Sequence, residues 1–157
     1  MRSASVTTES NMQNIRMFLD SSALFAGVLS SEGAARALLV LSELGQIELL
    51  VSEQVIVETE RSLARKAPAA LPDFRQTIKD ASIKIAKNPT ARAVKECLSM
   101  IHDPFDAPIL AAAIKAKVDY LITHDRKHFL NDPKVIKKSG LRIGTPGNAL
   151  AWLREHL

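Results

Sequence analysis

The sequence predicts an α/β domain, a three-layer α/β/α sandwich around a parallel sheet of four or five strands. Three observations lead there. Short apolar runs alternate with helical stretches in βαβ order. The strand runs are apolar throughout rather than alternating, which suits strands covered on both faces. No repeat, low-complexity tract or linker interrupts the 157 residues, a length that normally makes one domain with a full core. Residues 15–157 are expected to form that single domain. Residues 1–14 are polar and aperiodic and read as a flexible tail.

Taken in order, Ile15 to Leu19 is an apolar strand ending at Asp20, and Ser21-Ser22 start a helix from Ala23 to Leu29. Glu32 to Gly45 is rich in helix formers and closes on a glycine where a C-cap belongs. Ile47 to Val51 is the second strand, and Ser52 caps a helix from Glu53 to Lys66 that stops before Pro68. Pro72 opens a helical stretch towards Ala81, Ile83 to Ala86 reads as a third strand, and Thr90 to Met100 as a helix. Asp103 fits an N-cap, with Pro104 at the first helical position and Asp106 at the third, and Ile109 to Ala116 carries that helix onward. Asp119 to Thr123 is the next strand, Lys127 to Leu130 a helical turn, Leu141 to Gly144 the last strand and Pro146 to Leu157 a C-terminal helix.

Composition narrows the function. Apolar residues are 46% and charged residues 24%, ordinary for a globular protein. Aromatic residues are only 4%, which argues against a stacking platform of the kind single-strand binders use. The formal charge of +4 is a mild pull towards polyanions. A lone cysteine, Cys97, excludes an intramolecular disulfide and a cysteine metal cluster, and its helix face places it in the core. No window of about 18 uncharged apolar residues exists, so no membrane span is expected. Glu9 and Asp20 break up the N-terminal region, which argues against a signal peptide, and a cytoplasmic location is expected.

Right-handed crossovers bring the C-terminal end of every strand, and the N-terminal end of every following helix, to one edge of the sheet. Asp20 and Asp125 follow strands, and Asp103 and Asp106 begin a helix, so all four fall on that edge, where open α/β sheets bind ligands. On the 53–66 helix, Val55, Ile56, Thr59 and Leu63 share a core-facing arc. Glu58 borders that arc and can lean towards the acidic edge. Singly, Asp20 and Asp106 fit helix caps, Glu58 a solvated border residue and Asp125 a turn residue. Jointly they define one site. Carboxylates crowded together repel and call for a cation or protons, and hard oxygen donors without cysteine suit Mg²⁺ or Mn²⁺. The hydroxyl of Thr123 can orient a carboxylate or phosphate. His124 and His128 stand four apart and read as a surface pair. Between Arg61 and Lys95 nine cations face only Asp73 and Asp80, a pattern that fits phosphate-backbone contact.

These residues resemble the PIN domain family, best known as the ribonuclease of VapC-type toxins. Phe18-Leu19-Asp20-Ser21-Ser22 is similar to the family's opening strand and first aspartate with its neighbouring hydroxyl. Val57 to Leu63 resembles the helix carrying the family's glutamate, which matches Glu58. Asp106 to Ala113 looks like its third-acid helix and Asp119 to Asp125 its fourth-acid strand, while Lys127-His128-Phe129 and Thr145-Pro146 resemble further landmarks. The resemblance covers the chain after the tail. It implies a Mg²⁺- or Mn²⁺-dependent endoribonuclease for single-stranded RNA, the toxin of a toxin–antitoxin pair, with Asp20, Glu58, Asp106 and Asp125 as catalytic and metal-holding residues. Ser21, Asp103 and Thr123 would support them, and Arg61, Arg65, Lys66 and Lys127 would touch the RNA backbone. A protein antitoxin is the implied partner. A homodimer is expected too, and the apolar Ala34 to Leu44 helix suits either packing or homodimerisation.

The alternatives are a PIN-like scaffold that binds RNA or protein without cutting, which would have no need of all four acids, and a haloacid-dehalogenase-type phosphatase. The latter requires a second aspartate two positions after the first, where this chain has Ser22. Neither G-x-x-x-x-G-K-S/T nor G-x-G-x-x-G is present, so the common nucleotide-binding loops are excluded.

Overall fold

The computed structural model describes residues 14–157 apart from His102, Arg126, Lys127, His128 and Asn131. The tail through residue 13 and the landmark residues Lys127 and His128 therefore lie outside the described residues. Five strands, β1 (Ile15–Leu19), β2 (Ile47–Val51), β3 (Lys84–Ile85), β4 (Tyr120–Ile122) and β5 (Ile143–Gly144), form one sheet in the order β3-β2-β1-β4-β5. Every neighbouring pair is parallel, so the expected parallel sheet is the observed one. Around it, among the described residues, lie α1 (Ser21–Leu29), α2 (Ala34–Glu43), α3 (Glu53–Lys66), α4 (Leu71–Asp80), α5 (Ala91–Leu98), α6 (Ala107–Lys115), α7 (Pro133–Ser139) and α8 (Pro146–His156), with a 3₁₀ turn at Pro68–Ala70.

The order of the strands decides where ligands can go. From β1 the chain steps outward to β2 and β3, then crosses back through α5 and α6 to enter β4 on the other side of β1. Right-handed crossovers then put the helices after β1 and β2 on one face and those after β3 and β4 on the other. The switch point lies between β1 and β4, and the crevice at their carboxyl ends is where such sheets bind. Met17, Phe18 and Leu19 on β1 and Leu121 and Ile122 on β4 are fully or almost fully buried. The polar backbone of these central strands is satisfied by the ladder on both sides.

Local signals account for most boundaries. Asp20, Ser52, Thr90, Asp132 and Thr145 each accept a backbone N–H with the side chain at a helix start. Gly45 closes α2 with φ +76°; its N–H reaches the Ser42 carbonyl and that of Gln46 the Leu41 carbonyl, the pairing of a Schellman motif. Helix α6 (APILAAAIK) is apolar almost all round, and Ala107 and Ile109 to Ala113 are buried, as such a helix must be. Helix α7 is not among the elements the sequence reading assigns, although Asp132, Pro133 and Gly140 mark its cap, first turn and left-handed end.

One expectation is corrected. Asp103, Pro104 and Asp106 do not open α6 as its cap, first and third positions. The helix begins at Ala107, with Asp106 at the cap position and Pro108 in the first turn. Asp103 closes a separate turn instead: its Oδ1 accepts from the Phe105 N–H at 2.9 Å and its carbonyl from the Asp106 N–H at 3.0 Å. An aspartate followed by proline serves either structure, and the short side chain is satisfied two residues on as readily as at a helix start.

Gly144 is held for a steric reason. A Cβ there would run into the Tyr120 hydroxyl and stand 2.9 Å from Cβ of Asn148, while its carbonyl accepts from the Thr123 N–H at 2.9 Å. Gly144→Ala should therefore destabilise the fold by about 2 kcal/mol through overpacking, measured as a lower urea midpoint with unchanged slope.

Candidate active site

The site starts from a cap. Asp20 follows β1 and caps α1, its Oδ1 accepting from the Ala23 N–H at 3.0 Å and from the Ser22 hydroxyl at 2.6 Å. Its own N–H extends the β1–β4 pairing by donating to the Ile122 carbonyl at 3.1 Å. The carboxyl is only 4% exposed, and Thr123, fully buried, donates its hydroxyl to Oδ2 of Asp20. The Thr123 oxygen in turn accepts from the Asp125 N–H at 2.9 Å, and the Ser22 oxygen accepts from the His124 N–H at 3.0 Å. Two strand ends are thus tied together through the hydroxyls of Ser22 and Thr123.

A second relay leaves from the next residue. Ser21 donates to Oε1 of Glu58 at 3.0 Å, so Glu58 does lean from α3 towards the acidic edge. Gln54, one turn earlier, donates from Nε2 to Oε2 of Glu58 at 2.9 Å and also to the Phe105 carbonyl at 2.9 Å. Asp106 follows directly on Phe105. The relays Asp125–Thr123–Asp20 and Glu58–Gln54–Phe105 meet at residues 20 and 21, so the segments carrying all four candidate acids are bonded into one network. Glu58, Asp106 and Asp125 are half-buried. Gln54, the link between two of these segments, is marked in the sequence only by its position one helical turn before Glu58.

Burial pushes the Asp20 carboxyl above its ordinary value; the hydrogen bonds from Ser22, Thr123 and Ala23 oppose that rise, and the charge of Asp125 adds to it. Two carboxylates close enough to repel, one of them shielded from water, favour a cation between them. Their oxygens suit a hard divalent ion. Among the described residues no three His, Cys, Asp or Glu side chains gather tightly enough to hold a metal. Among the described residues the Asp20–Asp125 pair supplies two carboxylates, and Mg²⁺ commonly binds through one or two carboxylates, with water and substrate phosphate completing its shell. The residues fit such an ion.

The cations divide. Arg61 lies beside Glu58 in an open groove, Arg65 is exposed and Lys66 rests over the Phe25 ring at 5.6 Å. Arg75 pairs with Glu60 at 3.7 Å and Arg92 with Glu96 at 3.8 Å, so those two are partly spoken for. A separate cleft of about 440 Å³ collects Arg16, Lys84, Lys87, Lys115 and Lys117 along the inner end of α6. Glu48 answers Arg16 and Lys84 there. Lys115 and Lys117 join that group only through the crossover, since 31 to 33 residues separate them from Lys84 in the chain. His124 is exposed, in a loop; its expected companion His128 lies outside the described residues. Cys97 is buried, as its helix face implied.

Fold and site together define a parallel α/β domain with the interacting carboxyls of Asp20 and Asp125 following the two strands at the switch point of its sheet. The chain belongs to the PIN domain family, whose model matches residues 16–127. Among solved structures the chain is similar to PAE2754 from Pyrobaculum aerophilum, with TM-score 0.60 and 19% identity over 92% of this chain and 98% of the other. It is similar to VapBC2 from Rickettsia felis, solved with a DNA fragment from its promoter, with TM-score 0.59 and 15% identity over 82% and 97%. It is also similar to VapC20 from Mycobacterium tuberculosis, described as a sarcin–ricin loop cleaving toxin, with TM-score 0.50 and 16% identity over 67% and 86%. These three are likenesses of fold. No curated protein matches the chain.

The raised Asp20 carboxyl has a consequence for stability. An unfolded aspartate gives up its proton near 3.8, whereas the folded one holds it to higher pH. The folded state therefore carries more protons in the window between those values, and stability falls as pH rises through it. Asp20→Asn removes that loss. In EDTA the variant should melt higher than the parent at about pH 8, with the gap narrowing as pH drops towards 4; a lower melting temperature at pH 8 would contradict the assignment.

Proposed function

We propose that this chain is a Mg²⁺- or Mn²⁺-dependent endoribonuclease acting on single-stranded RNA, the toxin of a toxin–antitoxin pair in the cytoplasm. The observation that carries the reading is the buried Asp20 carboxyl at the β1 end, linked through Thr123 to Asp125 at the β4 end. Membership of the PIN domain family supports it. The description of VapC20 as a sarcin–ricin loop cleaving toxin agrees. Retention of Asp20, Glu58, Asp106 and Asp125 together favours a cutting enzyme over a PIN-like scaffold.

Asp20 and Asp125 would hold the ion, with Asp106 and Glu58 completing its surroundings directly or through water. When bound, a divalent ion supplies an acidified water and positive charge for the phosphate. Thr123 and Ser22 keep Asp20 in one orientation, and Ser21 does the same for Glu58. The turn closed by Asp103 sets the start of α6. Asp20 is already desolvated before any ligand arrives, so little reorganisation is required of it. Arg61, Arg65, Lys66 and Lys127 are assigned to the RNA backbone, where charge positions a strand without reading its sequence.

Asp20→Asn and Asp125→Asn each keep size and remove one ligand charge. Cleavage of a single-stranded RNA should fall by about a hundredfold or more in each, with circular dichroism unchanged. EDTA should abolish the parent's activity and Mn²⁺ should restore it. Wild-type rates in both variants would refute the site.

The assembly we assign is a homodimer bound by a protein antitoxin, as the pairing in VapBC2 suggests. Helix α2 buries Leu38 and Leu39 but leaves Val40 and, at its end, Leu44 exposed, an apolar edge that a second copy would cover. Sedimentation at tens of micromolar should give twice the 17.2 kDa chain mass; a monomer there removes the dimer.

A further inference from the structure

Five phenylalanines, one tyrosine and one tryptophan are the aromatic residues of the chain. Phe18, Phe74, Phe129 and Tyr120 are buried, and Phe25 and Trp152 pack against the core. Phe105 alone is exposed, at 77%. The fold makes use of its backbone: its N–H donates to Oδ1 of Asp103 and its carbonyl accepts from Gln54. The ring takes no place in the hydrophobic core. The backbone that carries it is held in place, because Gln54 ties the Phe105 carbonyl to the same amide group that holds Glu58. The ring lines an open groove of about 520 Å³ with Gln54, Val57, Glu58, Arg61 and Asn88.

We propose that Phe105 is a stacking surface for one nucleobase of single-stranded RNA, placed beside the candidate acids by Gln54. The inference rests on the ribonuclease reading for its ligand and adds a residue that grips the base rather than the phosphate. A flat ring offers every base a π-face, so the contact is tolerant of sequence. Polar groups stand at the rim of the groove: the Arg61 guanidinium can meet a phosphate or stack in turn, and the amide carbonyls of Gln54 and Asn88 can accept from base edges. Val57 and the prolines 104 and 108 give the groove an apolar wall against which the flat face of a base can lie. An apolar peptide segment would leave the Arg61 guanidinium at that wall without an anionic partner, whereas a nucleotide brings its own phosphate. The low aromatic content of the chain excludes a row of stacked bases, but one ring next to the scissile bond is enough to set the strand's register.

The test measures binding without turnover. The full chain carrying Phe105→Ala, Phe105→Leu or Phe105→Trp is titrated in EDTA against two fluorescently labelled twelve-mers, oligo(rA) and an abasic sugar–phosphate chain of the same length. Phe105→Ala and Phe105→Leu should weaken oligo(rA) binding by about tenfold, the scale of one base–aromatic contact, and leave the abasic chain unchanged. Phe105→Trp should retain or tighten oligo(rA) binding, and its indole fluorescence should be quenched by oligo(rA) but not by the abasic chain. Equal loss on both chains, loss on neither, or no binding of oligo(rA) by the parent overturns the proposal. So does a Phe105→Ala chain that binds RNA normally but no longer binds a protein inhibitor, which would assign the ring to a peptide. Failure of the nuclease reading shows separately, as absent cleavage in Mn²⁺ by a parent that still binds oligo(rA) through Phe105.

Discussion

The arrangement of this molecule turns on one carboxyl group kept out of water. Asp20 is almost fully buried at the end of the central strand, and its three hydrogen bonds come from α1 and from the end of β4. Burying an ionisable group without partners is costly, so each of those donors is structurally required. The requirement explains why Ser22 and Thr123 stand where they do. It explains as well why β4 pairs directly with β1, since the Ile122 carbonyl and the Thr123 hydroxyl can reach Asp20 only across an adjacent strand. A carboxyl in that position is destabilised as a free anion and is correspondingly receptive to a cation. The same burial that weakens the fold preorganises the site.

The second tier hangs from the first. Ser21 sits beside Asp20 in the chain and fastens Glu58, and Gln54 carries the link on to the turn before α6. Helix α6 arrives there because it is alanine-rich and apolar all round, which lets it lie flat against the sheet and be buried. The acids are thus held by elements that lie far apart in the sequence. A site built this way depends on packing throughout the domain rather than on a single loop. Phe105 occupies the one point where that scaffold turns an aromatic ring outward.

Much of this was legible in the sequence. Strands written as unbroken apolar runs announced a sheet covered on both faces, and capping residues at Asp20 and Ser52 announced helix starts. Glu58 was readable from the wheel as a residue at the border of a buried arc. Asp103 was not, because Asp-Pro followed by a second aspartate is equally consistent with a capped helix and with a turn that precedes one. The absence of α7 from the reading has a different cause: its signals are present at Asp132, Pro133 and Gly140, but the helix is short and its apolar stripe is reduced to Val135 and the exposed Ile136.

By itself the sequence determined the class of fold, the edge on which the carboxylates gather and the family resemblance, because period, capping and strand–helix order are local properties that neighbouring residues dictate. Only the tertiary structure decided which contacts unite them. That Thr123 bonds Asp20 across 103 residues, that Ser21 bonds Glu58 across 37 and that Gln54 bonds the Phe105 carbonyl across 51 are matters of register and crossover. The basic cleft of Lys84 and Lys115 has the same origin. So does the exposure of Phe105, for an aromatic residue in a short turn reads as core until the surrounding helices are seen to leave it outside. Such features arise when distant segments are brought together by packing, and no local pattern in the chain encodes which of them will meet.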